Sequence, residues 1–344
     1  MKSIVQCVSR LVTAAALITW WISPSMAADP VRFALDWVPY GKHAGFFSGV
    51  ERGYYAKAGL DVKIQRGFGA DTLKILAGGQ GDFILAETDQ LAVRRGKGLM
   101  AKVLGMAHDK SLFVILSFEE RGIKTPKDLE GKKIGAPVYT MPRVIFPAFA
   151  KHVGIDKDKV EWVTMDGPAT VPALLSGQVP VMATFQTIFP AVKAGALKLE
   201  KKLNIMLYSD YGFDIYSGAV AAMDSLVKER PDYVRRFVQA SYQALAWSIQ
   251  NPEESVRDFL KTHPQASYDI SLAQFIIFID HIMTPYGRQH GLGQVSAEKM
   301  QKTRDVALAV FPADRVPEVS ELYTNEFLPK LFPKRKGVEC KLCP

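Results

Sequence analysis

Ten short apolar runs, most of them rich in β-branched or small residues, punctuate the chain between residues 31 and 222, and helical patterns separate many of them. This alternation constrains the fold most. Strands joined through helices pair in parallel and build an α/β fold. The runs are 31–35, 61–64, 82–86, 102–106, 113–117, 133–136, 161–165, 181–184, 205–208 and 217–222. Helical spacing occupies 72–77 and 144–153. Beyond residue 230 the pattern becomes largely helical. Arg230-Pro231-Asp232 opens a helix with Val234, Phe237, Val238, Leu245 and Ile249 on one face. Asn251-Pro252-Glu253-Glu254 starts another, with Asn251 as N-cap, proline at the first helical position and acids in the first turn.

Two seams divide the pattern. One follows Ser117, where Phe118 to Pro126 is polar, and the other lies at Ser209-Asp210-Tyr211-Gly212. The expected division is therefore a first lobe from 28–117 plus 213–344 and a second lobe from 118–212, with the chain crossing twice. Each lobe is expected to be a mixed, mostly parallel sheet flanked by helices. Open α/β sheets bind ligands beyond the carboxyl ends of their strands. Two such lobes on two connections make a hinged cleft.

Residues 1–27 stand apart. Lys2 and Arg10 charge a short leading segment, 11–22 is apolar, and Ser25-Met26-Ala27 supplies small residues for a cleavage site. This is the pattern of a secretory signal peptide, and its apolar run is too short to span a bilayer. Its loss takes the formal charge from +8 to +6. The charges are dispersed, and the basic cluster Lys330, Lys334, Arg335 and Lys336 has no interleaved aromatics, so it reads as a solvated tail and not a nucleic-acid platform. Cys340 and Cys343 lack the context of a redox motif or a closed metal site. An oxidising compartment permits a small disulfide between them, and the sequence leaves open whether it forms.

No phosphate loop, zinc-protease motif or nucleophile elbow is present, and the histidines have no ligand spacing. Neither a metal nor a cofactor is expected. Gly67-Phe68-Gly69-Ala70-Asp71-Thr72 half resembles a dinucleotide fingerprint, but Thr72 takes the third glycine position and Asp71 would repel a pyrophosphate, so it reads first as a tight strand-to-helix turn whose backbone amides face a small ligand. The informative residues lie at strand ends. Asp36 and Trp37 follow the first strand, and His43 opens the next helix. Glu87 follows the third strand, and Tyr139 and Thr140 lead from the sixth into a helix. Phe185 ends the eighth, and Asp214 and Tyr216 precede the tenth. Aromatic surface with a few polar groups is the usual lining of a small-molecule pocket.

LDWVPYGKHAGFF at 35–47, ERGYYAKAGLDV at 51–62, LAGGQGDF at 76–83, VPALLSGQV at 171–179 and KERPDYVRRF at 228–237 together resemble the periplasmic solute-binding proteins of ABC importers. The likeness is to the group for thiamine-pyrimidine precursors and their nitrate, sulfonate and riboflavin relatives. It covers roughly residues 30–260. The resemblance implies a type II periplasmic binding fold: a monomeric, periplasmic receptor that closes on one solute and delivers it to a membrane permease. It also implies an aromatic clamp of Trp37, Phe185 and Tyr216, with Asp36, His43, Glu87 and Asp214 as polar partners. Where pyrimidine-binding members carry an acid before a proline in the second lobe, this chain reads Phe189-Pro190. Tyr139 and Thr140 at a helix start suit an organic anion equally. A fungal branch of the family makes the thiamine pyrimidine from its own histidine, and His43 matches that position. The cysteine-rich run of that branch would fall at 212–216, where this chain has no cysteine.

Overall fold

In the computed structural model, which describes residues 27–344, the strands form in the expected places. The expected signal peptide, up to residue 26, lies outside the described residues. In chain order the strands are β1 (Asp29–Ala34), β2 (Leu60–Gln65), β3 (Phe83–Glu87), β4 (Ala101–Met106), β5 (Phe113–Phe118), β6 (Lys133–Ala136), β7 (Glu161–Thr164), β8 (Val181–Phe185), β9 (Leu203–Leu207) and β10 (Gly218–Met223). One sheet has the order β2-β1-β3-β10-β4, the other β7-β6-β8-β5-β9.

Within each sheet four strands share a direction and one is reversed. β1 pairs in parallel with β2 and β3, whereas β10 runs antiparallel to both β3 and β4. In the second sheet β6 is parallel to β7 and β8, and β5 is antiparallel to β8 and β9. Each reversed strand is the first one after a crossing between sheets. No α-helix intervenes there to carry the chain back to the end where parallel strands begin. Each sheet is thus mixed and mostly parallel in strand direction, as expected from the sequence, with one reversed strand apiece.

The crossing also moves one strand between units. The seam after Ser117 assigned 113–117 to the first lobe, but β5 pairs with β8 and β9 in the second sheet. The actual crossing is at 107–112, where the polar run His108-Asp109-Lys110-Ser111 lies between the buried Ala107 and Leu112. The polar stretch 118–126 is a surface connection inside the second unit.

Helix Pro231–Gln250 forms as its apolar spacing requires and lays Val234, Phe237, Val238, Leu245 and Ile249 into the first core. There Phe237 stacks on Phe83 at 3.9 Å between ring centroids. Removing such a buried ring costs roughly 3–5 kcal/mol. The second core stacks Phe149 on Tyr208 at the same spacing. Asn251 stands at the N-cap of helix Pro252–Thr262 as expected, but its side chain makes no capping bond there; its amide donates to the Trp247 carbonyl, finishing the preceding helix. The basic tail is docked and not merely solvated. Lys336 meets Glu253, Arg335 meets Asp280, and Cys340 and Cys343 form a disulfide beside the first core.

Candidate functional site

A cavity of about 300 Å³ lies between the two units. One wall is the bend after β1. Leu35 N–H donates to Gln65 O at 2.9 Å, Gly67 N–H to Trp37 O at 3.1 Å and Gly69 N–H to Asp36 O at 2.7 Å, so the 67–69 loop holds the bend in shape. A Cβ at Gly67 would sit 1.7 Å from the Leu35 carbonyl oxygen, and only glycine allows the two segments this close.

The bend then tightens into the turn Gly41–His43 and helix Ala44–Glu51. This geometry folds Lys42 and His43 back onto Asp36. The Lys42 ammonium donates to Asp36 Oδ2. His43 Nδ1 accepts from Tyr40 N–H at 3.3 Å, so its proton sits on Nε2, which donates to Asp36 Oδ1 at 2.7 Å. All three side chains are buried. Burial opposes charge on Asp36, but Lys42 and His43 outweigh it and hold the carboxyl well below its usual range. Burial likewise opposes charge on Lys42, and Asp36 reverses that effect. His43 stays neutral because burial lowers its affinity for a proton more than Asp36 raises it.

Glu87 ends β3 on the same wall and is only 5% exposed. Its Oε2 has no hydrogen-bond partner. Burial pushes its carboxyl up to about 8, and the neighbouring charges of Asp36 and Asp89 add to the effect against the pull of Lys42.

The opposite wall belongs to the second unit. Pro137, Tyr139, Thr140 and Met141 follow β6, Gly167 to Val171 open helix Gly167–Leu175, Thr184 and Phe185 end β8, and Ile188 and Ala191 follow it. Tyr139 packs against Trp37 where the two units meet in the cavity lining, ring centroids 5.8 Å apart and tilted by 34°. The Tyr40 hydroxyl and Thr187 Oγ1 share a 2.9 Å hydrogen bond that also spans the two units.

Of the residues expected at a site, Asp36, Trp37, Glu87, Tyr139, Thr140 and Phe185 line this cavity. Four others do not. His43 is fully buried behind Asp36. Phe68 is half exposed under the Arg66 guanidinium, 4.7 Å from its ring, and the 67–69 amides are spent on the bend and on Thr72 Oγ1 rather than offered to a ligand. Asp214 accepts from Ser111 N–H at 2.9 Å and from Lys299 Nζ at 2.6 Å. Tyr216 is buried, and its hydroxyl accepts from Ser296 N–H at 2.8 Å. Asp214 and Tyr216 thus belong to the junction of the two crossings, where helix Ala297–Val310 supplies Lys299. Sequence reading misses that partner because it lies 85 residues from Asp214.

The residues missed on the cavity side include Tyr40, Lys42, Thr170 and Ile188. Tyr40 and Lys42 sit inside the motif at 35–47, so their position was available. The signal for Lys42 was a cation two residues into a turn that had to lie near Asp36. Among the described residues no cluster of His, Cys, Asp or Glu is arranged to hold a metal, and no helix is long and apolar enough to cross a membrane.

Residues 41–255, more than half of the chain, match the profile of the family described as NMT1/THI5 like. The chain belongs to that family. It is 23% identical over 326 residues to the riboflavin-binding protein RibY of Chloroflexus aurantiacus, across 89% of each chain. It is 23% identical over 288 residues to the formylaminopyrimidine-binding protein of Halalkalibacterium halodurans, across 81% of this chain and 85% of that one. Among solved structures it resembles the periplasmic aliphatic sulphonate binding protein SsuA of Escherichia coli. The TM-score is 0.65 at 13% identity, across 90% of this chain and 96% of that one. The fold is that of the periplasmic binding proteins, with two sheets on two crossings.

Proposed function

We propose that this protein is the extracytoplasmic solute receptor of an ABC importer. It closes its two units on one small flat solute and hands it, chemically unaltered, to a membrane permease. The observation that carries this reading is the shared cavity: Trp37 from one unit meets Tyr139 from the other in its lining, to which Phe185 also belongs. Ring stacking contributes about 0.5–1.5 kcal/mol per aromatic pair beyond buried area. Kinship with named riboflavin- and formylaminopyrimidine-binding proteins supports a heteroaromatic solute.

Size narrows the choice. Pockets for drug-sized ligands run from roughly 300 to 1,000 Å³, and a cavity of about 300 Å³ is at the small end. A single-ring compound such as a thiamine pyrimidine precursor fits this space better than a flavin with its side chain. A pyrimidine synthase is disfavoured, because His43 lies behind the cavity with both ring nitrogens engaged.

Native mass spectrometry of the protein purified from its host identifies the trapped solute. Calorimetry with that solute then tests the clamp. Trp37→Ala should weaken binding at least about tenfold, or roughly 1.4 kcal/mol. Unchanged affinity would remove Trp37 from the site, and a chemically altered solute would refute the receptor reading.

A further inference from the structure

We propose that Glu87 is the selectivity group of the cavity: its carboxyl donates a hydrogen bond to an acceptor atom of an uncharged, flat solute, and the site thereby rejects organic anions. This rests on the receptor reading above and adds the charge state and hydrogen-bond polarity of the guest.

The charges around the cavity carry the inference. The stretches of the second unit that line it, at 137–141, 167–171 and 184–191, contribute no charged residue to the lining. The first unit contributes one cation, Lys42, and its ammonium is committed to Asp36. Glu87 is therefore a second carboxyl with no counter-ion of its own. The other titratable groups near it do not supply one. Asp89, on the helix that follows, is buried and acidic, and His108 lies over Gly218, the cross-strand partner of Glu87. His108 is buried and held neutral, by burial first and then by the nearby Lys42.

An ionised carboxylate here would be desolvated and unpaired, a far larger cost than taking up a proton. Its raised proton affinity agrees. The protonated group then offers one O–H donor and retains acceptor capacity. The side chain lines the cavity while its Oε2 is buried without a protein partner, so a small rotation of the carboxyl is enough to present the O–H to a guest. A ring nitrogen beside an N–H, or a carbonyl beside one, matches that pair of needs. A sulfonate or carboxylate brings a full charge to a wall with no free cation and two carboxyl groups.

The test uses the full mature chain, with 4-aminopyrimidine and benzenesulfonate as probes, calorimetry as readout, and pH as variable. The uncharged heterocycle should bind and the anion should not. Binding requires the protonated Glu87, so apparent affinity scales with its fraction and falls about tenfold between about pH 7 and about pH 9. Glu87→Gln should abolish this alkaline loss, Asp89→Asn should keep it, and Glu87→Leu should lose at least about tenfold in affinity. Tighter binding of benzenesulfonate, or an alkaline loss that survives in Glu87→Gln, overturns the proposal while leaving the receptor reading intact. If neither probe binds and Trp37→Ala leaves capture of the natural solute unchanged, both fall together.

Discussion

Replacing Lys42 by methionine removes the only cation that reaches Asp36 among the described residues while keeping the length of the side chain. In the native protein Asp36 is 5% exposed and receives the Lys42 ammonium on one oxygen and His43 Nε2–H on the other. The variant leaves a buried carboxylate with one neutral donor. Breaking a buried pair in this way costs about 3–5 kcal/mol, mostly the cost of the stranded charge. For a protein of this size that corresponds to a fall in Tm on the order of 5–10 °C.

The double variant Asp36→Asn with Lys42→Met strands no charge, and it should recover at least about 2 kcal/mol of the loss as coupling energy. Acid should narrow the gap as well. The Asp36 carboxyl is depressed in the fold. Its contribution is therefore present above its ordinary value of 3.8 and lost as pH falls through its lower folded value. Lys42→Met has no such contribution to lose. Thermal and urea unfolding of ligand-free protein at neutral and acid pH measures all of this. If Lys42→Met unfolds like the native protein at neutral pH, or the double variant loses the sum of the two single losses, the neutralised-pair account is wrong.

Tyr216→Phe should cost about 0.5–1.5 kcal/mol by orphaning the Ser296 amide. It should leave solute affinity unchanged by calorimetry, because the ring is packed beside the crossings and not in the cavity. Lys299→Met removes the bond to Asp109 O at 2.5 Å and that to Asp214 at 2.6 Å, which together tie one crossing to the other. It should cost about 1.5–3 kcal/mol and enlarge the ligand-free radius of gyration in solution scattering; an unchanged scattering curve would refute the tie. Asp89 is buried, its carboxyl oxygens have no partner, and burial raises it to about 7 against the pull of the adjacent amides. A carboxyl raised in the fold loses its stabilising effect as pH climbs from its ordinary value to the folded one. Asp89→Asn should therefore gain on the native protein by about 2–3 kcal/mol between about pH 5 and about pH 8 in urea unfolding.

What the sequence alone determined about this protein is local. The ten strands, the faces of the long helices and the aromatic and polar character of the strand ends follow from side-chain periodicity and turn residues, which act within a few positions along the chain. Trp37, Glu87, Tyr139 and Phe185 were legible for that reason, since a strand end in an open α/β sheet has only one place to point.

Tertiary structure alone decided the rest. β5 joins the second sheet because its hydrogen-bonding partners are there, and neither partner is near it in sequence. The bend that carries Asp36 is pinned by the distant 67–69 loop, whose Gly67 alone allows so close an approach to the Leu35 carbonyl. Asp214 and Tyr216 turn from the cavity to the crossings because Lys299 and Ser296, some 80 residues further on, provide their partners. Whether a carboxyl or a ring at a strand end meets a ligand or another side chain depends on which distant groups remain unsatisfied. Unsatisfied charge and unfilled volume are properties of the packed chain, not of any segment within it.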